Sequence, residues 1–210
     1  MVVNYFDKQF ELRYFEMNEF GIASPTTILT LLEETAAEHC YSIDHSLYQL
    51  EKENIGWVLI SGIMQMERYP NYKEKITIRT WLSKYSTING FRENIIYDAQ
   101  GNIIGRAKGL WIFFDIERRR PAQIFDEIKE KWSSCTEESI DYYYYLYSID
   151  GRFIAEAHYN QTIVSLTKND AMDTKDKSFI HTIKIEGTDK VCATAKSTWK
   201  KIETQTHNNT

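Results

Sequence analysis

A chain of 210 residues is long enough for one large domain or two small ones, each with a real core. Its net charge of −5, with both signs mixed along the chain, argues against a nucleic-acid partner, which asks for a basic face. The start MVVNYFDKQF lacks the cationic and apolar regions of a signal peptide, no apolar run is long enough for a membrane span, and Cys40, Cys135 and Cys192 are too widely spaced for a disulfide framework or zinc site, which together point to a cytoplasmic protein with reduced thiols.

The first predicted strand is residues 10–17, FELRYFEM, followed by a turn at 18–21. Residues 24–40, SPTTILTLLEETAAEHC, carry the clearest helix signal. Ser24 suits the N-cap and Pro25 the first helical position, while Ile28, Leu31, Leu32, Thr35 and Ala36 fall on one face. Glu33, Glu34 and Glu38 fall largely elsewhere on that helix. Strands then dominate: 57–67, 75–83 with period-two alternation, and 91–98 and 102–115 around a turn at Ala99-Gln100-Gly101. One helix followed by long antiparallel strands predicts an α+β class, with a curved sheet wrapped on a single helix. Residues 116–140 open with Arg118-Arg119-Arg120-Pro121 and read as a linker, with a short amphipathic helix over 124–132. The stretch 147–160, YSIDGRFIAEAHYN, looks like strand, two-residue turn and strand.

The second part repeats the first. FRENIIYDAQGNIIGRAKGLW starts at Phe91 and FIHTIKIEGTDKVCATAKSTW at Phe179, a gap-free offset of 88 that also aligns Ala107-Lys108 with Ala195-Lys196 and Trp111 with Trp199. At the same offset Ile76 and Ile78 fall on Val164 and Leu166, and Met66 falls on Ile154. The repeat therefore predicts that Phe91 and Phe179 are equivalent, as are Trp111 and Trp199. It also leaves the second part about 40 residues short, and those are the residues that would hold its helix.

These residues resemble the acyl-acyl carrier protein (acyl-ACP) thioesterases of fatty-acid synthesis. The likeness is carried by EMNEFGIASPTTILTLLEETAAEHC, GWVLISGIMQMERYPNYKEKITIRTW and IIYDAQGNIIGRAKGLWIFFDIERRRPAQI, close over residues 5–125 and partial over 140–200. The resemblance implies a tandem hotdog: an antiparallel sheet wrapped on a central helix, twice in one chain, with the second hotdog truncated. It implies hydrolysis of a fatty acyl-ACP thioester with no metal or organic cofactor. The first hotdog would shape the acyl tunnel and the second would carry the catalytic groups. The family's Asp-x-Asn-x-His segment and following strand carboxylate transfer onto Asp150 and Glu156, while no residue matches the Asn or the His. A carboxylate that activates water, and amide or helix donors that meet the developing oxyanion, are what thioester hydrolysis needs.

Other candidates have structural readings. Glu156, His158 and Asn160 would share one strand face at period two. Glu16, Asn18 and Phe20 mimic the motif's spacing, but Phe20 carries no proton, so Asn18 reads as a turn residue. His39 near the helix end suits the helix dipole, a cap or packing. His45, His181 and His207 show no partner pattern. The Arg118–Arg120 run suits steering of an acidic carrier protein or a solvated linker. Tyr142–Tyr145 and Tyr147 suit an opening strand or a cover for apolar surface.

The expected organisation is an N-terminal hotdog at 1–115, a linker at 116–140, an incomplete C-terminal hotdog at 141–202 and a polar tail at 203–210. The expected function is release of free fatty acid from acyl-ACP, with acyl carrier protein as partner and neither nucleic acid nor membrane span. The alternative is a catalytically degenerate acyl- or ACP-binding protein. A sheet half without its helix bares an apolar face, to be covered by a second copy in a homodimer or by the 116–140 segment, or else left poorly ordered.

Overall fold

The structure, a computed structural model, describes residues 5–132, 148–170 and 177–199. Strand β1 (Phe6–Glu11) pairs antiparallel with β3 (Lys75–Tyr85), Phe10 facing Ile76. The first strand thus lies earlier than the alternation of residues 10–17 suggested. Residues Tyr14–Glu16 instead form one 3-10 turn, because the Glu16 carboxylate folds back to accept from the Arg13 backbone N–H at 2.7 Å and from Arg13 Nε at 3.0 Å. Asn18 does hold backbone: its Oδ1 accepts from the N–H groups of Phe20 and Ile22.

Helix α1 (Pro25–Ser42) begins as its sequence dictates, with Ser24 Oγ accepting from the Thr27 N–H at 3.0 Å and Pro25 in the first turn. It buries Ile28, Leu31 and Leu32 against the sheet, each worth roughly 1.5–3 kcal/mol when fully removed from water. A short helix α2 (Leu47–Lys52) follows, closed by a reciprocal Ser46–Gln49 capping box that the hydrophobic pattern alone did not reveal.

Strands β2 (Ile55–Met66), β4 (Asn89–Asp98) and β5 (Ile103–Asp115) complete the first sheet half around α1. The short β6 (Arg120–Pro121) pairs with β5, and helix α3 (Asp126–Trp132) follows. Ile124 and Ile128 lie in one buried cluster with Leu50, Ile55 and Phe113. Residues 120–132 therefore pack onto the first half rather than cover the second.

The second half contributes β7 (Ser148–Phe153), β8 (Ile163–Asn169), β9 (Lys177–Ile185) and β10 (Val191–Trp199). The sheet runs β1-β3-β4-β5-β2-β7-β10-β9-β8, so the order on one side of the β2–β7 seam mirrors the other. Strands β8, β9 and β10 begin 88 residues after β3, β4 and β5 (163 − 75, 177 − 89, 191 − 103). Each β4–β5-type hairpin also carries a bulge at the same offset, with Ile104 skipped in one ladder and Cys192 in the other. The registers are not identical: Phe91 faces Leu110, but Phe179 faces Ser197, 87 residues on. Trp111 and Trp199 are accordingly one pleat out of step, against the expectation that they coincide. Among the described residues from 148 onward there is no helix.

The expected turn inside 147–160 is also absent. Asp150-Gly151 lies in the middle of β7, because that strand is paired on both sides, Gly151 facing Gly62 of β2 and Ala195 of β10. An Asp-Gly pair makes a hairpin only when its flanks can pair with each other, and here two other strands occupy them. The segment after Phe153 is irregular, so Glu156, His158 and Asn160 share no strand face; Asn160 adopts a left-handed φ of 68°. Tyr142–Tyr145, Tyr147, Cys135 and the 203–210 tail lie outside the described residues.

Candidate functional site

The sheet leaves room beneath α1 because small residues face the helix. A Cβ on Gly109 would lie 2.8 Å from Trp111 Nε1 and 3.0 Å from Leu59 Cδ1, and one on Gly90 would lie 2.6 Å from Leu82 Cδ2. With glycine at both places, a cavity of about 100 Å³ opens between α1 and the strands, walled by Ala36, Ala37, Cys40, Trp57 and Trp111. A second opening of about 160 Å³ adjoins it and runs along Leu32, Leu59, Gly62 and Met64 to Gly151 and Phe153 on β7. The two share Glu33, Ala36, Arg92 and Trp111, and together form an apolar crevice that crosses the seam between halves.

The polar residues on the apolar wall include Glu33, Arg92 and Asn94. Glu33 of α1 lines both openings; it keeps solvent on one side, yet burial against protein raises its carboxyl above the usual range, with Arg92 opposing. Arg92 of β4 is 7% exposed, and its Nη1 donates to His39 Nδ1 at 3.0 Å and to Thr80 Oγ1 at 3.1 Å. Asn94, two residues along on the same face of β4, is 5% exposed, and its Oδ1 has no hydrogen-bond partner. The Cys40 thiol in the wall is pushed up by burial, which leaves it a weak nucleophile.

His39 stacks on Phe6 at 5.6 Å between ring centres and is buried. Burial, aided by Arg92, lowers its pKa to about 3, so it is neutral, with its proton on Nε2 and Nδ1 accepting from Arg92. A cationic role at the helix C-terminus is therefore replaced by packing and by holding the guanidinium.

The residues expected from the resemblance lie elsewhere. Alternation along β7 puts Gly151 and Phe153 on the crevice side and Asp150 on the opposite face, exposed and paired in register with Ile63 and Lys196. Glu156 follows β7, half-exposed, with its carboxylate ion-paired to Arg119 in the β5–β6 turn and its carbonyl accepting from Lys190 Nζ at 3.0 Å. Neither side chain lines the crevice. Of the other histidines, His181 bridges Thr167 Oγ1 (3.0 Å) and Ser197 Oγ (2.7 Å), and His45 Nδ1 lies 3.0 Å from the Ile43 carbonyl. His207 lies outside the described residues. Among the described residues no group of three or more His, Cys, Asp or Glu gathers as a metal site, and no helix is long and apolar enough to cross a membrane.

Glu33, Arg92 and Asn94 were not singled out by sequence reasoning. A helical wheel puts Glu33 off the apolar face, but a sheet curled around α1 meets more of its circumference than one stripe. The available signal was the unbroken polar run Arg92-Glu93-Asn94 in the middle of a strand.

A sheet curled on one helix, doubled across a seam and opened by an apolar crevice, is the architecture of the double-hotdog thioesterases. Solved structures agree. An oleoyl thioesterase from Lactobacillus plantarum superposes with a TM-score of 0.83 at 16% identity, covering 96% of this chain and 98% of its own. The 12:0-ACP thioesterase from Umbellularia californica gives 0.77 at 14% identity, covering 93% and 94%. Residues 3–132 match the model of the acyl-ACP thioesterase N-terminal domain, and the chain belongs to the acyl-ACP thioesterase family. Curated relatives include a chloroplastic acyl-[acyl-carrier-protein] hydrolase of Cuphea viscosissima, 26% identical over 133 residues, and the chloroplastic oleoyl-acyl carrier protein thioesterase 2 of Arabidopsis thaliana, 26% identical over 134. Each match covers 60% of this chain, which spans about a third of those relatives' length (32% and 36%).

Proposed function

We propose that this chain hydrolyses the thioester of a fatty acyl-ACP and releases the free fatty acid, with water as nucleophile and no cofactor. The observation that carries this reading is the apolar crevice between α1 and the sheet, a concave site with a few convergent polar groups. Family membership supports the reaction class. The resemblance assigns Glu156 as strand carboxylate and Asp150 as the acidic residue before it. The carrier protein, an acidic partner, would be steered by Arg118–Arg120, of which Arg120 lies exposed on β6. A reducing, cytoplasmic setting suits the free, buried thiols of Cys40 and Cys192. A second copy of the chain suits the outer edge of β8, where Ile163 and Leu166 are exposed.

The division at 1–115 and 141–202 remains our reading of the chain, with 120–132 attached to the first part. One observation favours a second function: among the described residues no helix stands over β7–β10, and no residue of the sequence matches the Asn or the His that the resemblance asks for. The chain would then bind acyl-ACP without turning it over. Single-turnover release of fatty acid from purified acyl-ACP separates the two, since a binder retains the acyl-ACP intact.

A further inference from the structure

The polar groups on the crevice wall have no part in the catalytic set that the resemblance implies. We propose that the first half carries a catalytic set of its own, with Glu33 of α1 as the general base and Asn94 of β4, backed by Arg92, as the receiver of the thioester carbonyl. This rests on the hydrolase reading and names the residues that would perform it.

Two independent observations converge on this place. Glu33 is the carboxylate common to both openings, at the junction where a chain lying in the Trp57-lined cavity would meet an arm entering past Gly151 and Phe153. Its raised pKa fits a base in a partly dehydrated setting. Asn94 is a buried amide on the same wall whose Oδ1 is unsatisfied, and an unsatisfied buried polar atom carries a penalty that a fold does not retain without cause. The amide also carries two N–H donors on Nδ2, and these can be offered to a carbonyl oxygen. Arg92 is fixed beside it by His39 and Thr80, and adds a permanent positive charge in a low-dielectric wall.

The chemistry balances. Water attacks the carbonyl carbon as Glu33 takes its proton, and the oxyanion accepts from the Asn94 amide. On collapse the C–S bond breaks, and the thiolate of the carrier's phosphopantetheine arm takes the proton back from Glu33. One water and one thioester give one carboxylic acid and one thiol, and Glu33 returns to the carboxylate.

The test is single-turnover fatty-acid release from purified acyl-ACP by the full chain and its Glu33→Gln, Asn94→Leu and Glu156→Ala variants, with acyl-ACP affinity and unfolding midpoint measured for each. Glu33→Gln should lower the rate ~10²–10⁴-fold with affinity retained, and Asn94→Leu should lower it ~10²–10³-fold. Asn94→Leu should keep or raise the midpoint, since it removes an unsatisfied polar atom. A Glu33→Gln variant that keeps the wild-type rate overturns the inference. If Glu156→Ala is then the variant that stops release, the hydrolase reading stands without it. Wild-type protein that binds acyl-ACP but releases nothing overturns both.

Discussion

Replacing His39 by Asn isolates a pH dependence built into the core. Asn offers an oxygen near the place of Nδ1, so Arg92 keeps an acceptor, but the side chain no longer titrates. In the folded wild type the imidazole is neutral down to about 3, whereas in the unfolded chain it titrates near its ordinary 6.5. Below 6.5 the unfolded chain therefore binds one more proton than the folded one, and stability falls as pH drops through the window from 6.5 to 3. Integrated from pH 7.5 to pH 5, the loss from this one group is about 2 kcal/mol. The assay is urea unfolding of both proteins at the two pH values. The variant should be less stable at pH 7.5, having lost the stacking on Phe6, but its stability should fall by about 2 kcal/mol less on acidification. Carboxylates that titrate in the same range act in both proteins and cancel in the comparison. Equal losses in the two proteins would refute the argument, and would mean that His39 is protonated, or reached by water, in the folded state.

Ala36→Leu adds bulk to both openings at a position where Leu is nearly as good a helix former as Ala, so binding of a fluorescent fatty-acyl probe should weaken sharply while far-ultraviolet dichroism is unchanged. Gly105→Ala places a Cβ 2.3 Å from Met66 Sδ and 3.2 Å from Ile96 Cδ1, inside the main core, and should destabilise by ~1–3 kcal/mol in a urea titration, partly relieved by trimming Met66 to Val.

The elements that the sequence announced are those whose local chemistry and tertiary role agree. Ser24-Pro25 and the 3.6-residue recurrence of Ile28, Leu31 and Leu32 name α1 twice over, and the alternation in 75–83 and the Gly101 turn, with φ of 82°, fix β3 and the β4–β5 hairpin. The failures come where a distant partner decides. Residues 12–17 alternate like a strand, but the Arg13–Glu16 closure takes them out of the sheet. Asp150-Gly151 reads as a turn until β2 and β10 claim its two edges. The same holds for the site. The apolar character of the crevice was foreseeable from the likeness of the first half, but Glu33, Arg92 and Asn94 meet only through the curvature of the sheet around α1, which no linear pattern records.

The β2–β7 seam makes the second half dependent on the first. Two separate chains joined edge to edge would lose translational and rotational freedom estimated at 4 to 15 kcal/mol, roughly the net stability of a domain. Joined in one chain, the same edge pairing is intramolecular, and that cost of association is not met a second time. A sheet half with no helix of its own among the described residues can thus persist as strands added to a finished neighbour. Its cooperativity is then borrowed from one side. Opening free energies should fall away strand by strand from β7 through β10 and β9 to β8, whose residues are all exposed. Evolution is free to alter the far edge of such a half without unfolding the rest, whereas a substitution at the seam is felt by both halves at once.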